Sequence, residues 1–145
     1  MSLDRTDRKI IEILRKDART PFTEVGRELN ISDATVHVRI KKMISEGIIK
    51  RYTIVVDEEV LGRAVNGFVM LNVAPGALEE VVGHLLELEQ VSSIYEIHGS
   101  NDLVLKIWGA DLDDMRDHML KIREIPNVTS SELITIYKIW KDENR

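Results

Sequence analysis

Cysteine is absent from the 145 residues. That single absence excludes disulfides, thiolate metal sites and thiol nucleophiles. No apolar run is long enough to span a bilayer, and the first residues show no secretory pattern. A soluble, cytoplasmic protein that does not engage the membrane is therefore expected. Also missing are a phosphate-cradling glycine loop and any nucleophile–base–acid constellation. His84, His98 and His118 are scattered without the paired spacing of metal ligands. The sequence thus predicts no cofactor, no metal and no enzyme.

What is present is an uneven charge distribution. The net charge is −5, an odd value for a protein that meets nucleic acid. Yet residues 1–52 carry 12 Lys+Arg against 8 Asp+Glu, a net of +4, and residues 53–145 carry 8 against 17, a net of −9. A basic head and an acidic body are the pattern of a chain that presents one end to phosphate. Apolar residues make up 43% of the chain, enough to build real cores.

The most specific segment is Pro21 to Met43, PFTEVGRELNISDATVHVRIKKM. Val25, Leu29, Ile31, Val36, Ile40 and Met43 fall where two crossed helices pack. Gly26 is small at the expected crossing. Asn30 tolerates the left-handed backbone of a tight turn. Ser32 suits the N-cap of the second helix, and Asp33 favours its first turn. This is a helix-turn-helix pattern, whose second helix enters the DNA major groove. A preceding helix is expected from about Asp4 to Lys16, with Ile10, Ile11 and Leu14 on one face. The two motif helices should cover roughly Phe22 to Leu29 and Asp33 to Glu46. A head of about 50 residues is marginal on its own, so help from a partner chain is expected.

Ile48 to Val56 alternates as a linking strand, with Ile48, Tyr52, Ile54 and Val56 on one parity. Residues 1–50, 51–63 and 64–145 are the expected head, hinge and second domain. In the second domain Phe68 to Val73 is a nearly continuous apolar run, as in a central strand. A helix follows on Leu78, Val81, Val82, Leu85 and Leu88. Strands are expected at Ser93 to His98 and Leu103 to Trp108. A helix capped by Asp111 follows, with Leu112, Met115, Met119 and Ile122 inward, and a last strand lies within Val128 to Trp140. The order βαββαβ, with a faint echo between Val91-Ser92-Ser93-Ile94 and Val128-Thr129-Ser130, predicts a ferredoxin-like α+β sandwich. Helices cover one face of such a sheet. Phe68, Val69, Met70 and Leu71 cannot all point at helices, so the other face needs a cover, and a second copy of the chain is expected there.

Together the two halves resemble the Lrp/AsnC (feast/famine) family of transcription regulators, nearly end to end. Leu3-Asp4 with Asp7, Ile10 and Ile11 looks like that family's opening "LD..D..I". Asp17 and Arg19 match "D.R". Ser32, Thr35, Val36, Arg39 and Ile40 match the "S..TV..RI" of its recognition helix. Gly47, Ile49, Tyr52 and Gly62 match "G.I..Y" and "LG". Gly99 and Asp102 match the "G..D" turn that borders the effector site in that family. Val128 matches the "GV" after its last helix, with Asn127 in place of the glycine. The resemblance implies a DNA-binding head and a C-terminal domain that oligomerises, as dimers often assembled into octamers. It further implies that a small effector, typically an amino acid, binds between dimers. The family often shows two hydroxyl residues spaced by one in its last strand. Here Ser131 fits the first and Leu133 replaces the second.

On the recognition helix Val36, Ile40 and Met43 form the inward stripe. Ser32, Asp33, Ala34, His37 and Val38 are then candidates for base edges, and Arg39, Lys41 and Lys42 for phosphate. Ala34 or Val38 suits a thymine methyl and His37 a guanine acceptor. By composition alone Gly99-Ser100-Asn101-Asp102 is a hairpin turn. The resemblance adds an effector role for Gly99, Ser100, Asn101 and Asp102, along with Ser131 and Leu133. Exposed turn amides can hold a carboxylate, and Asp102 an ammonium. The expected activity is sequence-specific binding to double-stranded DNA, controlled by an amino-acid-like effector. The alternative is an amino-acid-binding regulatory subunit whose helical head docks on a protein.

Overall fold

The computed structural model of the protein describes residues 3–142. The chain divides into two compact units, with the boundary between Val55 and Val56.

The first unit holds three helices. Helix α1 (Arg5–Lys16) starts at Asp4, whose side chain accepts from the Asp7 N–H. The Asp7 carboxylate accepts in return from the Asp4 N–H, closing a reciprocal cap at 2.8 and 3.2 Å. Helix α2 (Phe22–Leu29) follows Pro21 and ends at Asn30, which adopts the left-handed conformation (φ 56°, ψ 45°). Helix α3 (Asp33–Ser45) is capped by the Ser32 hydroxyl, which accepts from the Thr35 N–H at 3.1 Å. Ile10, Leu14, Val25, Val36, Ile40 and Met43 form the buried core among them. The left-handed Asn30 reverses the chain so that α3 can lie across α2. Its place is fixed by the Ile31 N–H donating to the Gly26 carbonyl at 2.9 Å.

The second unit is a four-stranded antiparallel sheet with two helices. Its elements are β1 (Val65–Val73), α4 (Leu78–Leu86), β2 (Val91–Glu96), β3 (Leu103–Gly109), α5 (Leu112–Arg123) and β4 (Val128–Thr135). The strand order is β2-β3-β1-β4, so β1 is central between β3 and β4. Val69, Leu71, Leu103, Leu105 and Ile107 point to one face and pack on Val81, Leu85, Met115, Met119 and Ile122 of the helices. The period of two along β1 separates them from Phe68 and Met70 on the opposite face. There Phe68, Tyr95 and Ile134 stand exposed: Phe68 lies in register with Lys106 and Ile134, and Tyr95 with Val104, the partner of Met70 in the next row. The apolar run of β1 is thus divided between a filled core and an open face.

The linking strand expected from Ile48 to Val56 is a correction. No strand forms there. A strand needs a neighbour for its N–H and C=O groups, and none of β1 to β4 pairs with this segment. Alternation along the segment does signal apolar residues to be covered: Ile54 is 79% exposed and Val55 60%. The last strand, Val128–Thr135, lies within the span expected for it.

Candidate functional site

The recognition helix is built from a buried stripe upward. Val36, Ile40 and Met43 are buried at positions i, i+4 and i+7 of α3. Ala34, His37, Val38, Lys41 and Lys42 are consequently exposed, and Val38 is 65% exposed. The His37 ring leans on Phe22 of α2, with centroids 5.9 Å apart, which fixes its direction from the helix. Ser32 and Asp33 are exposed but locally engaged: the Ser32 hydroxyl caps the helix, and Asp33 Oδ1 accepts from the Ala34 N–H at 2.9 Å.

Arg39 differs from the two lysines with which the sequence grouped it. Its Nη1 donates to Asp4 Oδ2 at 2.6 Å and to Asp7 Oδ1 at 2.8 Å. The Asp7 side chain is only 4% exposed, and that of Arg39 is 33% exposed. The guanidinium therefore pins α3 to the N-terminus of α1. The Asp7 N–H first, and then Arg39, hold the Asp4 carboxyl below the ordinary carboxylate range. Hydrogen bonds to Asp7 and then Asp4 hold the Arg39 guanidinium above its usual value. The two aspartates lie 32 and 35 positions from Arg39, a separation for which sequence periodicity carries no signal.

The six effector candidates of the second unit fall at two places. Asp102 borders a shallow pocket of about 190 Å³ beside the Ala74-Pro75-Gly76 turn and the end of β2. Its carboxylate accepts from the Val73 N–H at 2.8 Å, and its N–H donates to the Leu71 carbonyl at 2.9 Å. The register of β1 on β4 shifts between Asn72 and Val73. The Asp102 carboxylate takes up the Val73 N–H at that irregularity. Gly99, Ser100 and Asn101 complete the turn before β3, and Ser100 Oγ donates to Asn101 Oδ1 at 3.3 Å.

Ser131 and Leu133 line a second, open pocket of about 430 Å³ between β4 and α5. The two pockets share no lining residue. The other wall of the second one is Arg116, Met119, Leu120 and Arg123. Arg123 Nε donates to the Ser131 hydroxyl at 3.0 Å. Sequence reasoning missed these α5 residues. Their spacing of i, i+3, i+4 and i+7 was the available signal, since it places them on one stripe of the helix.

Comparison with known proteins adds to this geometry. Residues 3–50 match a family profile described as winged helix-turn-helix DNA-binding, and residues 66–145 one described as Lrp/AsnC ligand binding domain. The chain is 32% identical over 142 residues to the HTH-type transcriptional regulator FL11 of Pyrococcus abyssi, covering 98% of this chain and 94% of that one. It is 38% identical over 128 residues to the HTH-type transcriptional regulator LrpA of Pyrococcus horikoshii, covering 88% and 91%. Among solved structures, B. subtilis LrpC superposes with a TM-score of 0.88 at 31% identity, covering 97% of this chain and 99% of that one. E. coli AsnC does so with a TM-score of 0.93 at 26% identity, covering 98% and 97%.

Proposed function

This chain belongs to the Lrp/AsnC family of transcriptional regulators, and from that premise we propose that α3 reads DNA bases through Ala34, His37 and Val38 while Lys41 and Lys42 hold phosphate. The protein is a DNA-binding regulator that responds to a small-molecule effector. The alternative of a subunit docking on protein is not favoured. The observation that carries the reading of α3 is its two-sidedness: Val36, Ile40 and Met43 are buried, and the opposite flank is exposed and basic. Ser32 and Asp33 sit at the start of that flank, where a helix N-terminus approaches the backbone of a duplex.

DNA affinity measured against salt tests this assignment. In Lys41→Ala, binding weakens on all sequences and the slope of log K against log salt flattens by about 0.9, the value for one lost phosphate contact. In His37→Ala, discrimination between operator and random DNA falls, while the slope stays near that of the wild type. Unchanged affinity and discrimination in both variants would remove α3 from the duplex.

The open face of the sheet supports a dimer. Phe68, Tyr95 and Ile134 form an apolar surface on the side without helices, and a second copy covers it symmetrically. A two-fold dimer sets two α3 helices about 34–36 Å apart, or a multiple of that, on near-palindromic sites. Higher assembly, up to octamers, engages more heads at once, and effector binding at contacts between dimers shifts that assembly.

The effector is read as amino-acid-like, with Gly99 to Asp102, Ser131 and Leu133 as its candidate contacts. A thermal-shift screen of the full chain against the twenty amino acids tests this. A ligand at a hundred times its Kd stabilises by about 2.7 kcal/mol, readily seen as a raised Tm. A flat response across all twenty would rule out an amino acid as the effector. Among the described residues no helix is long and apolar enough to cross a membrane, and the family members compared carry the names of regulators rather than enzymes.

A further inference from the structure

We propose that the outer face of α1 is a second phosphate-binding surface, which grips a stretch of double-stranded DNA other than the stretch seated on α3. Arg5, Arg8, Lys9 and Lys16 are its contacts. None of them belongs to the base-reading flank of α3.

The fold decides where the basic charge of the head lies. Ile10 and Leu14 of α1 are buried, and Ile11 and Ile13 pack against the same core. Arg5, Arg8, Lys9, Glu12, Arg15 and Lys16 are exposed and fall on the opposite flank of the helix. That flank carries five cations and one acid, a net of +4. Residues 1–52 as a whole carry 12 Lys+Arg and 8 Asp+Glu, also a net of +4. Outside the flank seven of each remain, so the rest of the head, α3 included, sums to zero. The acids at the start of the helix do not dilute the flank. Asp4 and Asp7 are turned to Arg39, at 2.6 and 2.8 Å, and answer its charge instead.

This arrangement works against the helix. Arg5 and Arg8 stand in the first turn, where the dipole disfavours cations, and Arg5 faces Lys9 one turn on. A local preference broken on an exposed face marks a surface kept for a partner. The composition of the flank says which partner. It bears no apolar side chain, so it matches neither a protein interface core nor an acyl layer. It bears no aromatic ring, so unpaired bases find nothing to stack on. A rigid polyanion is what fits. The 12 residues of α1 extend about 18 Å. Over that length a duplex presents about ten phosphates, one per about 1.7 Å of its axis. Both α1 and α3 turn their apolar stripes into one core, so their outer flanks face different sides of the unit. A straight duplex lying along α3 leaves the α1 flank uncovered. The flank therefore takes either flanking DNA that bends back or a separate duplex. In both the recognised group is the phosphate backbone, and no base sequence is selected.

The full chain, loaded on a 20-bp operator duplex, is offered a labelled 40-bp duplex of random sequence. In parallel it is titrated with the same operator extended to 80 bp. The wild type is expected to capture the second duplex or to gain affinity from the extension. Capture marks a separate duplex, and the gain marks flanking DNA that bends back. A variant combining Arg5→Gln, Arg8→Gln, Lys9→Gln and Lys16→Gln loses at least about fivefold of whichever is seen. Its slope of log K against log salt on that DNA flattens by about 0.9 for each contact removed. Its affinity for the 20-bp operator stays within about twofold. Glu12→Arg acts in the opposite sense and raises capture or gain at least about twofold, which misfolding cannot do. Neither capture nor gain in the wild type would overturn the proposal, as would full retention of both in the fourfold variant. An equal loss on the 20-bp operator would set α1 against the same duplex as α3 and overturn it too. So would a loss of self-association in sedimentation without DNA, which would give the flank to the acidic second unit of another copy, net −9 over residues 53–145. The reading of α3 is judged apart, by Lys41→Ala and His37→Ala on the 20-bp operator alone.

Discussion

Gly26→Ala is expected to unfold or displace the recognition helix and abolish specific DNA binding. A Cβ built at Gly26 lies 2.7 Å from the Ile31 carbonyl oxygen and 3.3 Å from the Asp33 N. Both are backbone atoms of the turn that carries α2 into α3, so no side chain can rotate away to relieve the clash. The Gly26 carbonyl also accepts from the Ile31 N–H, which ties the same atoms together from the other side. Opening the crossing by several tenths of an ångström costs about 1–3 kcal/mol, in the range of overpacked cores. The helix propensity gained by alanine, about 1 kcal/mol, offsets only part of it. In a unit of this size each kcal/mol moves Tm by about 4–8 °C. Thermal unfolding by circular dichroism, with operator affinity measured below the transition, reads both effects. Gly83→Ala is the control: it lies in α4, where an added Cβ meets nothing within 4 Å, and it is expected to be neutral or slightly stabilising. A Gly26→Ala protein as stable and as tight on DNA as the Gly83→Ala protein would mean that the two helices do not cross at this glycine.

Arg39→Met is expected to lower stability by about 2 kcal/mol and to weaken DNA binding without flattening its salt dependence. The substitution keeps the apolar stem and removes the charge facing Asp7, which is 3% exposed. A buried carboxylate left without its partner costs about 3–5 kcal/mol when fully enclosed. Arg39 is itself a third exposed, so solvent screens part of that cost and the lower figure applies. Asp7→Leu combined with Arg39→Met recovers part of the loss, because no buried charge is then left uncompensated and Asp4 stays exposed to solvent. If Arg39 instead met phosphate, the salt slope would fall by about 0.9, and that result would contradict its role as a clamp between α3 and α1. The clamp also predicts a pH dependence. The Asp4 carboxyl is held below its ordinary range in the folded chain. Its contribution is therefore complete above the unfolded value of about 3.9 and is lost as pH falls through the lower folded value. Urea unfolding of the wild type should weaken through that acidic window, and Asp4→Asn should show a shallower fall.

Much of this protein is legible in its residues, and particular elements show why. Helix α2 was expected from Phe22 to Leu29 and occupies that span, because Pro21 and Asn30 mark both ends by backbone chemistry alone. Helix α5 begins where Asp111 announced it, with the Asp111 carboxylate accepting from the Asp114 N–H. Strand β1 was less clear: its apolar run gave existence and centrality, but the start at Val65 needed Gly109 and its neighbours across the sheet. The expected strand at Ile48 to Val56 failed for the complementary reason. Alternation reports where apolar side chains want cover, whereas a strand exists only if another strand answers its N–H and C=O groups.

Local physics fixed the helix-turn-helix, the sandwich order and the basic head, since caps, turn residues and apolar periods act within a few residues of one another. Tertiary structure alone decided which charged groups are free to meet a ligand. Arg39 looked like a companion of Lys41 and Lys42 until the fold brought Asp4 and Asp7 to within 2.8 Å of it. Asp102 looked like a free carboxylate until a slip between β1 and β4 placed the Val73 N–H beside it. Arg123 acquired its orientation from Ser131, eight residues away across the α5–β4 turn. An ionic or hydrogen-bonded partner is chosen by proximity in space, and proximity is what a linear order of residues does not contain.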